Sequence, residues 1–359
     1  MPAASSIPLM PPTAVHLNGS VNLADAETVM REALGRIPQG LRRVPDGETG
    51  DRQQWILFQF LKFQELDALE LEQTEVDPST YTTPKLMLRD GVDATGIDWP
   101  DLGYAGAYQE SYATFDKLEQ EGVVPPGVRF QVEYPTPLAS IVGFIVPRDQ
   151  TTLLPSYEAA LFADLDELLA AVPHDRVAVQ WDVAVEFGML EGLMEGGDQD
   201  FDAITDHLAR CVDQVPAAVP VGLHLCYGDY GHRHFTDPAS LEMQIRVIHA
   251  VNDKASRPVS WYSVTVPQHV AAPEFFAPLA GLRLPADTEI YFALVPYHPE
   301  EQAAGTTEEQ VRLVGRHLGA REWGICTECG MGRVERDDVP AMLDAHRELV
   351  SRFAPTAGA

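Results

Sequence analysis

Short apolar runs rich in β-branched residues alternate with amphipathic stretches along almost the whole chain. The runs at 14–19, 41–44, 128–134, 177–182, 221–227, 259–266, 289–295 and 323–326 read as strands. Most are apolar at nearly every position rather than at every second one, the pattern of parallel strands buried on both faces. Segments 24–36, 53–66, 157–172, 201–215, 239–252, 308–318 and 339–352 carry apolar residues at helical spacing. Asn22 or Asp25 is placed to cap the first of these helices. Eight strands, most followed by a helix, count to a single α/β domain, a (β/α)8 TIM barrel spanning 13–353. A doubly wound open sheet would be expected to begin with a Gly-rich turn after its first strand, and His16-Leu-Asn-Gly-Ser20 is not one. Residues 70–106 break the alternation after the second strand–helix unit and are expected to form an irregular excursion, as an insertion or lid. Residues 1–12 and 354–359 are expected to be disordered.

Polar residues on these strands gather at one end. The first strand ends with His16, Asn18 and Ser20, and the second runs into Asp46, Glu48 and Arg52. The third carries Glu133, the fourth Gln180 and Asp182, and the fifth His224, Cys226, Tyr227 and Asp229, with His232 and His234 beyond. The eighth ends in Glu328 and Cys329. Barrel enzymes place their chemistry at the C-terminal ends of the strands, so this one-sidedness favours an enzyme over a binding module. His16, Asn18, Ser20, Asp46, Glu48, Arg52, Glu133, Tyr227 and Asp229 are the candidate substrate-binding residues. A lone His16 bonded to a neighbouring carbonyl, or Asp46-Gly-Glu48 as a simple turn, would read the same way in sequence. Asp182 stands at the end of an apolar strand. A buried carboxylate without a partner costs several kcal/mol, so Asp182 is expected to pair, protonate or bind something. Asp182, His232 and His234 are the candidate catalytic residues, as an amine-binding or basic carboxylate and as loop acids.

Composition narrows the partners. The chain has 359 residues, 45% of them hydrophobic, enough for a large core. It carries 54 acidic against 25 basic side chains, a net charge of −29. Such a surface repels nucleic acid and anionic membranes, and its best basic run is only Arg42-Arg43. A small-molecule substrate is expected, with no nucleic-acid or membrane partner; a homo-oligomer stays open. No apolar stretch is long enough to cross a bilayer, and the first residues lack the pattern of a secretory signal. Four cysteines are too few for a disulfide framework in a chain this long, so reduced thiols and a cytoplasmic location are expected.

The cysteines carry the chemistry. His224 and Cys226 are two apart on one strand, so alternation points both to one face. Cys326 and Cys329 are three apart near the end of the eighth strand; in an extended strand at most one faces the barrel mouth, and Cys329 is nearer the tip. Cys326-x-x-Cys329 also has redox-dithiol spacing, but such pairs sit at a helix start, and no helix is expected here before about residue 339. An imidazole and two thiolates are ligands that zinc prefers. His224, Cys226 and Cys329 are therefore the candidate metal ligands, Cys326 a bystander and Cys211 a core thiol.

His16-Leu-Asn-Gly-Ser20, His224-Leu-Cys226-Tyr227-Gly228 and Glu328-Cys329-Gly330 together resemble the catalytic barrel of cobalamin-independent methionine synthase, in the uroporphyrinogen decarboxylase and methionine synthase superfamily. The resemblance runs from about Thr13 to Phe353, through short exact matches. It implies zinc held by His224, Cys226 and Cys329, activating a small thiol for transfer of a methyl or alkyl group. The family's Glu ligand is expected on the following strand, and Trp261-Tyr-Ser-Val-Thr-Val-Pro267 has no carboxylate, so Glu328, His269 or water would have to replace it. The family's separate N-terminal barrel is absent from this sequence, so a full folate-dependent methionine synthase is not expected. The alternative within the superfamily is a metal-independent decarboxylase or lyase acting on a small carboxylated substrate, with Asp46, His232 and His234 doing the acid–base work.

Overall fold

The computed structural model describes residues 10–72, 84–194, 200–229 and 233–354. Ten strands occur among them: β1 (Ala14–Val15), β2 (Arg43–Pro45), β3 (Leu69–Leu71), β4 (Leu86–Leu88), β5 (Arg129–Pro135), β6 (Val177–Val183), β7 (Val221–Leu225), β8 (Trp261–Val264), β9 (Glu289–Ala293) and β10 (Gly324–Cys326). Eight of them form one parallel sheet in the order β1-β10-β9-β8-β7-β6-β5-β2. A parallel bridge from Val15 to Leu41, with the Val15 amide donating to Gly40 O at 3.0 Å, joins the two ends of that order. The sheet is thereby a closed (β/α)8 barrel with a ring of helices outside it, as the strand and helix count predicts.

The helices follow the expected stripes. Ala26–Arg36 is capped by Asp25, whose side chain accepts from the Thr28 amide at 2.8 Å, and it buries Val29, Met30, Ala33 and Leu34. Phe201–Gln214, Glu242–Lys254, Thr306–Leu318 and Val339–Phe353 lie where helical periodicity puts them. Four helices go beyond it, among them the short Val185–Leu190 and Pro273–Phe276. Tyr104–Gln120 buries Tyr104, Tyr108, Ser111, Phe115 and Leu118, a stripe whose tyrosines and serine do not read as apolar. Pro137–Phe144 is buried almost all round and so shows no polar face. Within the 70–106 excursion, β3 and β4 pair as an antiparallel ribbon, and Trp99 packs its ring 5.0 Å from Phe63 and 4.9 Å from Tyr157. Residues 10–12 are described, and Met10 O accepts from Trp323 Nε1 at 2.8 Å. Most of the 1–12 and 354–359 segments lie outside the described residues. No helix among the described residues is long and apolar enough to cross a membrane.

The N-terminal end of the barrel is plugged by charge and rings. Arg43 on β2 is buried, pairs with Glu289 Oε2 at 2.6 Å, donates to the Tyr291 hydroxyl at 3.0 Å and stacks 4.0 Å over the Trp261 ring. The indole of Trp261 lies across Gly222, its register neighbour on β7. A Cβ at Gly222 would fall 1.9 Å from Trp261 Cε2, so only glycine lets β7 approach the ring. Gly222→Ala must push the indole off Arg43. A loss of about 1–3 kcal/mol or more is expected, read as a lower urea midpoint; an unchanged midpoint would contradict this packing.

Candidate active site

The C-terminal end of the barrel collects the predicted polar side chains. His224 leaves β7 directly beside Asp182 of β6, its register partner, and its Nδ1 lies 3.2 Å from Asp182 Oδ1. Cys226 follows on the same face, and its sulfur accepts from the Gly228 amide at 3.3 Å. Cys329 comes in from the segment after β10. One donor atom from each of His224, Cys226 and Cys329 lies within 4.8 Å of the others, the one such three-ligand group among the described residues. His224 and Cys226 are buried and Cys329 is half-buried.

The backbone around Cys329 is fixed from several sides. Tyr297 Oη lies 2.6 Å from Cys329 O and accepts from the Cys329 amide at 3.1 Å, and Thr327 Oγ1 donates to Cys329 O at 2.6 Å. A Cβ at Gly330 would meet Ser20 N at 2.8 Å, so the glycine after Cys329 lets this segment press against the β1 loop. The contact with Cys226, together with burial, pushes the Cys329 thiol well up. Burial alone would lower the His224 imidazole, but Asp182 outweighs it and raises it. Two thiols and an imidazole so placed form a compact donor set that a soft or borderline cation satisfies. Cys326 instead lies in a small inner core with Ala14, Ala178, Trp261, Tyr291 and Ala293.

Asp182 is held from three directions. Besides His224, it accepts from Gln180 Nε2 at 2.9 Å on Oδ1 and from Trp55 Nε1 at 3.1 Å on Oδ2. Sequence reasoning did not single out Trp55. It falls within the 53–66 segment read as helix, but the helix begins only at Leu57, and Trp55 turns at φ 56°, a left-handed conformation rare outside glycine. His16 lies behind Asp182, its Nε2 2.8 Å from Gln180 Oε1; burial, aided by Arg43, holds its imidazole well below the usual range. Asn18 donates through Nδ2 to Thr327 O at 2.7 Å, and its Oδ1 is buried without a hydrogen-bond partner.

The β2 end forms a second cluster. Asp46 accepts from Arg52 at 2.5 Å, Ser111 Oγ at 2.7 Å and the Glu48 amide at 2.8 Å, and Arg52 lies 4.5 Å over the Tyr108 ring. Asp46 and Arg52 therefore clasp the turn, and the turn presents Glu48. Glu48 has φ 49°, is buried, and accepts from Ser20 Oγ. Glu133 of β5 is fully buried, accepts from Gln131 Nε2 at 2.7 Å through Oε1, and leaves Oε2 without a hydrogen-bond partner. Burial, with the charges of Glu48 and Asp46 next, pushes the Glu133 carboxyl well up.

Other predicted residues lie elsewhere or are otherwise engaged. Tyr227 packs between Phe187 and Phe235, with ring centroids 4.8 and 5.6 Å away, and donates to Glu191 at 3.0 Å. Asp229 is buried 3.6 Å from Arg333. His234 lies 2.8 Å from Asp237 and 3.3 Å from Glu328. Burial opposes its charge, but these two carboxylates raise it to about 10. Glu328 also accepts from the Gln268 amide at 2.6 Å, and His269 is exposed beside Asp237. Neither Glu328 nor His269 joins the His224 group. His232 lies outside the described residues.

The sequence matches no protein-family model and no curated protein. Solved structures do match. A B12-independent methionine synthase from Shewanella sp. W3-18-1, in complex with selenomethionine, aligns over 96% of this chain and 98% of its own, at TM-score 0.60 and 14% identity. A Listeria monocytogenes protein described as a vitamin-B12-independent methionine synthase aligns over 96% and 99%, at TM-score 0.55 and 13% identity. At these identities the likeness is one of fold, and it runs over nearly the whole chain.

Glu48 makes the site pH-sensitive. Burial first, and the Asp182 charge second, raise its carboxyl from 4.5 to about 8. The folded state then holds a proton that the unfolded chain releases, so this contribution to stability is full below about 4.5 and is lost as pH rises towards 8. Glu48→Gln should remove that dependence, so the variant gains on the unsubstituted protein in unfolding midpoint between pH 5 and pH 8. Parallel curves across that range would refute the assignment.

Proposed function

We propose that this protein is a zinc-dependent transferase that moves a methyl or alkyl group to or from a small thiol substrate. The observation that carries the reading is the convergence of His224, Cys226 and Cys329 in the barrel mouth. In a tetrahedral zinc site with bonds of about 2.0–2.3 Å, neighbouring donors sit roughly 3.5–3.8 Å apart, a spacing the three donor atoms can reach. A carboxylate on the far ring nitrogen of a ligating histidine is the usual support of such a site, and Asp182 is so placed on His224. The methionine-synthase-like barrels of similar fold add to the same reading.

Three protein donors leave a coordination position for substrate, as in catalytic rather than structural sites. Zinc there would supply the charge that keeps a substrate thiol as a thiolate near neutral pH. The chain's own residues do the rest. Glu133 Oε2 and Asn18 Oδ1, buried without a partner in the chain, are placed to meet polar groups of the substrate. Asp182, with both oxygens already engaged, holds the imidazole.

Protein purified without chelator should carry close to one equivalent of zinc by inductively coupled plasma mass spectrometry, and Cys226→Ser should lose most of it. Less than about half an equivalent in the unsubstituted protein would sink the reading, since structured sites of this donor type bind zinc with large free energies.

A further inference from the structure

The loop from Asp46 to Ile56 does not stay beside the strand it leaves. In the closed barrel β2 lies between β1 and β5. The loop reaches one strand further on each side. Trp55 Nε1 donates to Asp182 Oδ2 on β6 at 3.1 Å, and Gln53 Nε2 donates to Gly332 O, beyond β10, at 3.1 Å. A segment anchored at both points lies across the C-terminal opening of the barrel. The carboxylate that receives the indole also holds His224, so the loop sits beside the His224, Cys226 and Cys329 group. His224 and Cys226 are buried in this arrangement.

The backbone of the loop is held, not relaxed. Gly47, Glu48, Gly50 and Trp55 all take positive φ. Trp55 stands at φ 56° and ψ −120°, a state that only glycine adopts freely. Its ring is half-buried, so it has solvent on one side to move into. A strained segment fixed by side-chain anchors is free to swing out once an anchor is lost, the design of loops that gate active sites.

We propose that the 46–56 loop is a lid, closed in this structure, and that Trp55 is its latch: ligands reach His224 and Cys226 when the indole leaves Asp182. The inference takes from the functional reading only that the barrel mouth is the working site, and it needs no metal.

The test uses the full chain, treated with chelator so that no metal shields the sulfurs. Trp55→Phe keeps an aromatic ring and removes the N–H. Hydrogen–deuterium exchange should rise in peptides covering 46–56. Alkylation of Cys226 by iodoacetamide, located by peptide mass, should speed up about 10-fold or more, the order set by one hydrogen bond to a charged acceptor. The factor should be the same at pH 7 and pH 9, because access and not thiol ionisation has changed. Cys211 and Cys326, buried in the core, should stay unreactive. Gln53→Met, which frees the second anchor, should raise both rates as well. Gly222→Ala, which loosens the opposite end of the barrel, should leave both as they are. Faster alkylation of all four cysteines together, or an equal rise in Gly222→Ala, would mean general loosening and overturn the lid. Unchanged rates in Trp55→Phe, or loop exchange that rises without Cys226 alkylation, would overturn it too. If the purified protein carries no zinc, the metal reading fails alone, and these rates still decide the lid.

Discussion

The buried carboxylate of Asp182 is the constraint around which the mouth of this barrel is arranged. Left alone, it would cost several kcal/mol to bury. It is accommodated because the parallel register of β6 and β7 sets His224 at its side, Gln180 lies two residues earlier on the same face, and Trp55 reaches over from the loop after β2. Each contact offsets part of the cost and restricts a side chain that would otherwise rotate. Two strands and one loop are thus tied at a single pair of oxygen atoms. The positive φ of Trp55 is local strain at the point where the loop must deliver its indole.

The two ends of the barrel solve the problem of interior polarity differently. At the N-terminal end, Glu289 is shared between Arg43 and Arg42, and Arg43 is covered by the rings of Trp261 and Tyr291. At the C-terminal end, carboxylates outnumber cations. Arg52 is taken by Asp46, and Glu48 and Glu133 are left to share protons rather than counter-ions. The N-terminal end leaves buried donors without a partner, Arg43 Nε and Trp261 Nε1, and the C-terminal end leaves buried acceptors, Asn18 Oδ1 and Glu133 Oε2. Such unsatisfied acceptors are expensive in a closed core and useful in a binding site.

The barrel was legible because both-face burial makes parallel strands read as continuous apolar runs, and because His224 and Cys226 share a strand face by simple alternation. Cys329 was legible for the same reason, since only one of two thiols three residues apart can face inward. Contacts made across loops were not. Nothing local marks Trp55 as a partner of Asp182, or turns Asp46 and Arg52 from a substrate clamp into a clasp on their own turn. Tyr227 follows Cys226 directly, so the alternation that sends Cys226 inward sends the phenol outward to Phe187 and Phe235. The Tyr104–Gln120 helix escaped because hydroxyl-bearing side chains occupy its buried stripe.

The placement of Cys329 has a consequence for how the site comes into being. Its donor arrives with β10, which is hydrogen-bonded on one side to β9 and on the other to β1. His224 and Cys226 are therefore made early but stay an incomplete pair until the last strand has been synthesised and inserted between its neighbours. Completion of the three-donor group and closure of the barrel become one event. A chain that stalls before β10 would leave a histidine and a thiol in an open sheet without their third member.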